Sequence, residues 1–382
     1  MPLEPDMREA LVSSVRRFVA ERLEPLEAEV ALCDEVPEGV VADMRRLGLF
    51  GLSIPAEYGG LGLSMEEEVQ VVFELGRTSP AFRSVVGTNV GIGSGGIVMF
   101  GTEAQKREWL PRLASGEIIA SFCLTEPEAG SDAASLKTTA ARDGMDYVLN
   151  GTKRFITNAD RAGLFTVMAR TAREKGASGI SSFLVPAHLP GIRLGTPERK
   201  MGQHGAQVCD VAFENCRVPA SSLLGIEGEG FKNAMKILDR GRIHISAVCV
   251  GVAERLIEEC VTYARERRQF GKPIGEFQLV QAMIADSCTE AYAARSMVVD
   301  AARRRDAGAV TTAEAAMAKL YASEMVGRVA DRAVQVFGGA GYIADYGIER
   351  FYRDVRLFRL YEGTSEIQRL VIAREILKAG DA

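Results

Sequence analysis

The strongest constraint on the fold is a hydrophobic period that changes twice along the chain. Near the start, apolar residues such as Leu11, Val15 and Phe18 recur every three to four positions, which is typical of amphipathic helices. From about residue 118, short apolar runs alternate with Gly, Pro and Asn, which predicts strands joined by turns. The helical period returns at residue 230. We therefore predict a mainly α chain with a central β domain, divided into units at 1–117, 118–229 and 230–382.

Both outer units are predicted to be helical. Apolar spacing favours helices at 7–30, 40–49, 64–75 and 103–113 in the first unit, and at 231–268, 278–305, 312–337 and 365–377 in the last. The helices of the last unit are long and their connections are short. This combination predicts an antiparallel helical bundle.

The central unit contains a strong hairpin signal. The pair Asn150-Gly151 separates the apolar runs 147–149 and 154–156, which predicts two strands joined by a two-residue turn. Further short runs lie at 164–169, 181–185 and 208–213. No strands alternate with helices, so we predict a small β domain rather than a parallel α/β sheet.

Length and charge exclude several classes of protein. A chain of 382 residues exceeds what one hydrophobic core usually supports. Its net charge of -5 argues against general nucleic-acid binding, which needs a basic face. The longest apolar stretch, 85–100, contains five glycines, so we expect no membrane span. The acidic N-terminus lacks the apolar segment of a signal peptide.

The cysteines and histidines indicate neither disulfides nor a metal site. Seven cysteines are an odd number without CxxC spacing, and the three histidines are widely separated. We therefore expect free thiols, no metal ligands and a reducing cytoplasmic setting.

One glycine pattern is misleading. Residues 91–96 match GxGxxG literally, but a dinucleotide site needs a strand before this motif and a helix after it. The surroundings have a helical period. We interpret these glycines as small residues that permit close approach of helices or of a ligand.

Three segments have residues suited to chemistry. In 125–132 (TEPEAGSD), hydroxyls and Gly follow an apolar run, and such a loop can bind an anion or a polar ring edge. In 335–342 (QVFGGAGY), three glycines permit close backbone approach to a ligand. In 353–369, Glu362 precedes a helix whose start is predicted by a capping box of Ser365 and Gln368. Residues alone leave the alternatives open: a strand-ending turn, a glycine C-cap and a carboxylate beside a helix dipole.

Together these segments resemble the acyl-CoA dehydrogenase family. Two further segments carry the resemblance: RRQFGKP at 267–273 with Phe277-Gln278, and Lys200-Met201-Gly202 with 213–215 and 218–219. They follow the family's order and spacing from about residue 40 to 377. The resemblance implies a helical N-terminal domain, a middle β domain, a C-terminal four-helix bundle, FAD, and a homotetramer in which a neighbouring subunit completes the cofactor site. It also implies an acyl-CoA substrate and an electron-transfer flavoprotein as acceptor.

The resemblance assigns roles to individual residues. It makes Glu362 the base that removes the Cα proton, while its backbone N–H helps to stabilise the thioester oxygen. Contacts to the flavin ring would come from Leu124, Thr125, Phe155 and Thr157, with Thr157 near N5. Gly130 and Ser131 lie where the family contacts the flavin phosphates and the pantetheine arm. Contacts to the pyrophosphate and adenosine across the subunit boundary would come from Arg267, Phe270, Gln278, Gln335 and Gly339, with further cofactor contacts from Thr364 and Glu366. Substrate contacts would come from Ser131, Asp239, Arg242, Tyr361 and Gly363.

Some residues depart from patterns found in the family. Phe155 stands where several relatives have Trp, and Glu366 where some have Gln. Some relatives carry the base near Gly241, where this chain offers no carboxylate. Two alternatives remain at this point: an oxygen-using oxidase or monooxygenase of the same fold, and a non-catalytic acyl-CoA-binding protein. Acyl-chain length stays open, although the glycines at 91–96 would suit a branched or bulky acyl group.

Overall fold

The computed structural model describes residues 4–378. Helices come first along the chain, a sheet follows, and helices end it, in the order that the hydrophobic period predicts. The predicted fold class, mainly α with a central β domain, is confirmed.

Seven α-helices form the N-terminal part: α1 (Pro5–Phe18), α2 (Glu27–Cys33), α3 (Glu38–Arg46), α4 (Met65–Leu75), α5 (Pro80–Gly87), α6 (Ser94–Phe100) and α7 (Glu103–Ala114). The helical stretch predicted over 7–30 is interrupted by a π turn at Val19–Leu23 and a 3₁₀ turn at Glu24–Leu26. Pro25 explains this break, because its ring nitrogen cannot donate to the helical hydrogen-bond ladder.

The glycine-rich stretch after α5 is helical. A π-helical turn at Thr88–Gly93 joins α5 to α6, so the GxGxxG pattern has no preceding strand. A Cβ on Gly93 would lie 2.6 Å from the Cβ of Ala120, and one on Gly96 would lie 3.1 Å from Ile237 Cδ1. Both glycines therefore permit close packing. Gly91 has open space beside it and lines the main cavity.

The central sheet contains eight strands: β1 (Ile119–Cys123), β2 (Thr139–Asp143), β3 (Asp146–Thr157), β4 (Ala162–Arg170), β5 (Ile180–Pro186), β6 (Ile192–Leu194), β7 (Val208–Pro219) and β8 (Leu223–Leu224). Their order is β6-β7-β3-β2-β4-β5-β8, and β1 pairs in parallel with β4. Aromatic side chains on its inner face, among them Tyr147, Phe165 and Phe213, form a separate hydrophobic core.

The hairpin prediction at Asn150-Gly151 is wrong. β3 continues through this pair. Between Leu149 and Gly151, one residue of β3 faces two residues of β7, so the extra residue of a β-bulge lies on β7. A Cβ on Gly151 would lie 2.7 Å from Thr138 Cα, which explains why glycine is needed here. The turn lies earlier instead, where β2 and β3 are joined by Gly144 and Met145.

The C-terminal part is built on four long helices: α8 (Gly230–Glu266), α9 (Gln278–Asp306), α10 (Thr312–Phe337) and, after the short α11 (Gly339–Tyr342) and α12 (Ile348–Val355), α13 (Ser365–Lys378). A two-stranded ribbon, β9 (Arg268–Gln269) and β10 (Lys272–Pro273), separates α8 from α9. α10 packs against the other three long helices. No helix within residues 4–378 has the length and apolar character needed to cross a membrane.

Candidate active site

Glu362 lies in the loop between a 3₁₀ turn at Arg356–Arg359 and α13. Its φ is +54°, a region that non-glycine residues rarely adopt, and the next residue, Gly363, has φ +90°. Gln368 on α13 stabilises this shape, because its Nε2 donates to the carbonyls of Glu362 (3.1 Å) and Gly363 (2.9 Å). The unusual backbone is therefore fixed from the helix that follows it.

The capping prediction at this helix needs a correction. The N-capping side chain is that of Thr364, whose Oγ1 accepts a hydrogen bond from the Ile367 N–H at 3.3 Å. Ser365 instead donates to Glu324 Oε1 at 2.6 Å. The helix begins at Ser365 as predicted, but Gln368 serves the loop rather than a capping box.

Two buried cations also reach the loop backbone. Arg242 Nε on α8 donates to the Glu362 carbonyl at 3.3 Å, and Lys319 Nζ on α10 donates to the Gly363 carbonyl at 2.7 Å. Arg242 is itself oriented by Asp239 Oδ1 at 2.8 Å, and Thr312 Oγ1 donates to the other Asp239 oxygen at 2.7 Å. Three helices thus position one short loop.

The Glu362 carboxylate faces a space that a glycine leaves open. Its Oε2 is buried and has no hydrogen-bond partner among the described residues. A Cβ on Gly241 of α8 would lie 2.5 Å from this oxygen, so any larger residue at position 241 would displace the carboxylate. A buried, unpaired carboxylate oxygen is costly in a purely structural role.

Burial and nearby cations act in opposite directions on Glu362. Burial raises its pKa above the ordinary carboxyl value, while Arg83, Lys319 and Arg242 lower it. The net direction is upward, because burial outweighs the nearby cations. Burial also lowers the pKa of Lys319 to about 8. A carboxylate with a raised pKa in a cavity is suited to accept a proton.

Most predicted site residues line one cavity. With its open mouth, the cavity holds about 1420 Å³ of empty space. Its walls include the following predicted residues: Leu124, Thr125, Gly130, Ser131, Phe155, Thr157, Arg242, Tyr361, Glu362 and Gly363. The structure therefore brings segments of α8, the central sheet and the loop before α13 together around one space.

A buried ion pair anchors the loop at 125–132. Lys153 Nζ on β3 lies 2.7 Å from Glu126 Oε1 and donates to the Leu124 carbonyl at 3.3 Å. Glu126 also accepts hydrogen bonds from the backbone N–H groups of Thr138 (2.9 Å) and Lys137 (2.5 Å). Glu126 thus holds the loop in place, and its neighbours Thr125 and Ser131 line the cavity.

Three predicted residues lie outside the cavity lining. Asp239 contacts Arg242 and Thr312, so it positions a cavity residue. Thr364 caps α13, and Glu366 is exposed on its first turn. Their predicted contacts with substrate or cofactor stay predictions.

The remaining predicted cofactor residues are all exposed on the C-terminal part of the chain, and we call this set the outer patch: Arg267, Phe270, Gln278, Gln335 and Gly339. Arg267 and Gly339 line a second, shallower cavity that shares no lining residue with the first. Phe270 is 93% exposed and has φ +52°. Two predicted residues from distant sequence segments, Arg267 and Gly339, therefore meet at this second cavity.

Sequence reasoning missed three groups near Glu362. Arg83 and Gln203 line the main cavity, and Lys319 is fully buried beneath the loop. For Lys319 a signal was present, because a lysine falls on the apolar face of a helix rich in alanine. Arg83 lies on a short helix that the sequence did not predict.

Three family models cover nearly the whole chain: the acyl-CoA dehydrogenase N-terminal domain matches 5–117, the middle domain 121–216 and the C-terminal domain 228–377. The chain belongs to the acyl-CoA dehydrogenase family. It is therefore an FAD-dependent oxidoreductase, and the predicted family and cofactor are confirmed.

Individual relatives differ in what their names describe. An acryloyl-CoA reductase (NADH) of Anaerotignum propionicum is 44% identical over 97% of this chain and 94% of its own length. An acyl-CoA dehydrogenase of Bacillus subtilis is 41% identical over 95% of this chain and 96% of its own. The solved butyryl-CoA dehydrogenase of Megasphaera elsdenii superposes with a TM-score of 0.95, at 36% identity, over 99% and 100% of the two chains.

The main cavity has residues that fit FAD. Hydroxyls of Thr125, Thr157 and Ser131 lie on its wall beside the apolar Leu124 and the aromatic Phe155, a mixture suited to a flat ring with polar edges. A Cβ on Gly130 would meet nothing within 4 Å, so the loop leaves open space here. These residues would hold the flavin, and Glu362 would face the substrate beside it.

Proposed function

We propose that this enzyme introduces a double bond between Cα and Cβ of an acyl-CoA thioester, giving a trans-2-enoyl-CoA, with Glu362 as the base. The observation that supports this most directly is the unpaired, buried Oε2 of Glu362 in the main cavity. The space opposite Gly241 allows this oxygen to face a substrate.

In the proposed step, Glu362 Oε2 takes the Cα proton, and negative charge develops on the carbonyl oxygen of the thioester. The carboxylate must be ionised to act, and its raised pKa makes it a stronger base than an exposed carboxylate. When bound, FAD supplies the acceptor for the Cβ hydride, which no side chain can provide.

A thioester Cα–H is a weak acid, so negative charge on the carbonyl oxygen needs stabilisation. The backbone N–H of Glu362 is a suitable donor. Among the described residues it has no backbone hydrogen-bond partner, whereas the N–H of Tyr361 donates to the Leu357 carbonyl at 3.3 Å. We propose that the Glu362 N–H binds the thioester oxygen, as the family resemblance implies.

Flavin absorbance tests the proposal. Anaerobic addition of butyryl-CoA to the FAD-loaded enzyme should bleach the flavin and yield crotonyl-CoA. Bleaching by no member of an acyl-CoA series would contradict the proposal. Reoxidation then identifies the acceptor: we propose an electron-transfer flavoprotein, and formation of hydrogen peroxide at a comparable rate would instead indicate the oxidase alternative.

One relative favours a second candidate, the reduction of an enoyl-CoA by the same residues in reverse. At 44% identity, its name describes an NADH-dependent acryloyl-CoA reductase. In that direction, protonated Glu362 would return the proton to Cα. Comparing rates of enoyl-CoA reduction and acyl-CoA oxidation in one preparation decides the direction.

The assembly and setting belong to the proposal. We propose a homotetramer, supported by the exposed outer patch with its nearly fully exposed Phe270. We also propose fatty-acid β-oxidation as the pathway and the cytoplasm as the setting. The seven free cysteines agree with a reducing setting of this kind. Sedimentation with and without FAD tests the assembly.

A further inference from the structure

A buried arginine enters the main cavity from a side that the proposed reaction does not use. Arg83 lies on α5, is 7% exposed and lines the cavity. It is close enough to Glu362 to exert the largest attractive effect on that carboxylate, yet no ion pair joins the two in the described structure. Glu362 and Arg83 thus lie on the walls of the same space without neutralising each other through direct contact.

Arg83 is oriented by a chain of buried groups. Its Nε donates to His244 Nε2 at 2.9 Å, and His244 Nδ1 lies 2.7 Å from Glu68 Oε1. Because a guanidinium only donates, His244 Nε2 must accept, and the imidazole proton is on Nδ1 where it donates to Glu68. Burial lowers the pKa of His244 to about 4, so the ring is neutral near neutral pH.

The charge of Glu68 is balanced on its other side. Arg240 donates to Glu68 Oε2 and forms an ion pair with it. The chain from Arg83 to Glu68 therefore fixes the direction of the guanidinium without cancelling its charge. Burying these charged groups costs desolvation free energy, which packing of an arginine alone does not require.

The end of the guanidinium is free toward the cavity. In residues 4–378, the single hydrogen bond of the Arg83 side chain is the one from Nε, so both Nη groups lack a protein partner. Gly87, one helical turn later, leaves room for the guanidinium of Arg83, because a Cβ at position 87 would lie 2.8 Å from Arg83 Nε. A guanidinium fixed through Nε and open at both Nη atoms has the geometry of a carboxylate receptor.

The other cations that line the cavity have anionic partners, and Arg83 does not. Arg242 is paired with Asp239 at 2.8 Å, and Lys200 is paired with Asp34 at 3.2 Å. Lys319 lies beneath the loop, outside the cavity lining, where it donates to the Gly363 carbonyl. Among the described cations of the cavity wall, Arg83 alone has no ion pair with a protein carboxylate.

We propose that Arg83 binds an anionic group on the acyl chain, so that the substrate class is the CoA thioester of a short dicarboxylic acid. This inference rests on the proposed function and deepens it by naming the acyl group. Arg83 acts as a specificity-determining residue, and His244 and Glu68 position it. The rival explanation is that Arg83 serves only to keep Glu362 ionised.

Chain-matched substrates separate the two explanations. The FAD-loaded enzyme is tested with valeryl-CoA against glutaryl-CoA and with butyryl-CoA against succinyl-CoA, by the rate of flavin bleaching and by kcat/KM. We expect a preference of about 10- to 100-fold for the anionic member of at least one pair, the range of a charge-assisted hydrogen-bonded pair. Within a pair, any effect of Arg83 on Glu362 is common to both substrates and cancels in the ratio.

Two variants sharpen the test. Arg83→Met should remove the preference and leave the neutral substrate as the better one. Arg107→Met, on the exposed face of α7, should keep the wild-type ratio. Bound FAD confirms that each variant is folded, and the wild-type ratio decides the question even if Arg83→Met does not fold.

A wild-type enzyme that oxidises valeryl-CoA and butyryl-CoA well, but their dicarboxylic counterparts poorly, overturns this inference and leaves the proposed function intact. If Arg83→Met lowers all rates by one factor, Arg83 serves Glu362 alone and the inference also fails. Absence of bleaching by these four thioesters and by longer acyl-CoAs contradicts the proposed function itself, whereas bleaching by longer acyl-CoAs alone overturns only this inference.

Discussion

The main cavity and the outer patch differ in how completely one chain builds them. Around Glu362, side chains from α8, α10 and α13 hold the loop carbonyls at 2.7–3.3 Å, and buried cations surround the carboxylate. On the outer patch, the side chains of Arg267, Gln278 and Gln335 have no hydrogen-bond partner within residues 4–378. Groups that one chain already holds in place can perform chemistry without a second subunit. Exposed groups without hydrogen-bond partners are held in place only when a cofactor or a second subunit contacts them.

This contrast assigns different duties to the two regions. Mutations of Glu362 and of the groups that position it should change the chemical step and leave cofactor content intact. Mutations on the outer patch should weaken cofactor retention and assembly but leave the chemistry of loaded enzyme intact.

The largest effect is expected for Glu362→Gln. The amide keeps the shape of the side chain but cannot take a proton, so flavin bleaching by acyl-CoA should slow by about 10²–10⁴-fold or more. Stopped-flow absorbance of the FAD-loaded variant measures this. Rapid bleaching would show that the base lies elsewhere, and loss of bound FAD would show that the two regions are not separable.

The next effect concerns the glycine opposite the carboxylate. In Gly241→Ala, the added Cβ would come within 2.5 Å of Glu362 Oε2, and the flexible carboxylate should move aside. Such misplacement costs about 10²-fold in rate, with little loss of FAD. Gly39→Ala is the matched control, because a Cβ at this helical glycine meets nothing within 4 Å. Equal rates in both variants would contradict the assignment of Gly241.

A smaller, different effect is expected on the outer patch. Phe270→Ser replaces a ring that is 93% exposed, so the stability of a single chain should change by less than about 0.5 kcal/mol. FAD retention should fall by about 10-fold if the ring is buried against a cofactor or a second subunit. Gel filtration at matched concentration and the flavin-to-protein absorbance ratio measure this. Unchanged assembly and FAD content would remove the case for a shared site.

The two regions also differ in what the sequence could predict. Helices with a clear period were predicted well, as for 312–337, where α10 has the predicted bounds. Asn150-Gly151 failed because a local turn signal was overridden by pairing of β3 with β7 along nearly its whole length. Local preference decides a turn only where no partner strand competes.

Site residues were predictable when they lay in a motif with a recognisable spacing. Glu362 and the loop at 125–132 are of this kind. Arg83, His244 and Glu68 are not, because 161 positions separate the first two and 176 the last two. No periodicity relates residues so distant, and only packing of α4, α5 and α8 brings them together.

The smallest predicted effect concerns Lys319. Its Nζ donates to the Gly363 carbonyl and its charge lowers the pKa of Glu362. In Lys319→Met, the pKa of Glu362 should therefore rise, because a stabilising cation is removed from the ionised form. The base is active only above its pKa, so the acidic limb of the pH–rate profile should move to higher pH, while the rate on the plateau changes less than about 10-fold.

The wild-type enzyme offers an internal check on Lys319. The pKa of this lysine is lowered to about 8, so its charge is present below pH 8 and is lost above it. The variant should differ from the wild type at pH values where Lys319 is charged, and the two should converge at higher pH. Measuring kcat by flavin bleaching across that range, with Lys106→Met on the surface of α7 as control, tests this. An acidic limb that stays in place would mean that Lys319 supports the loop backbone without influencing the charge of Glu362.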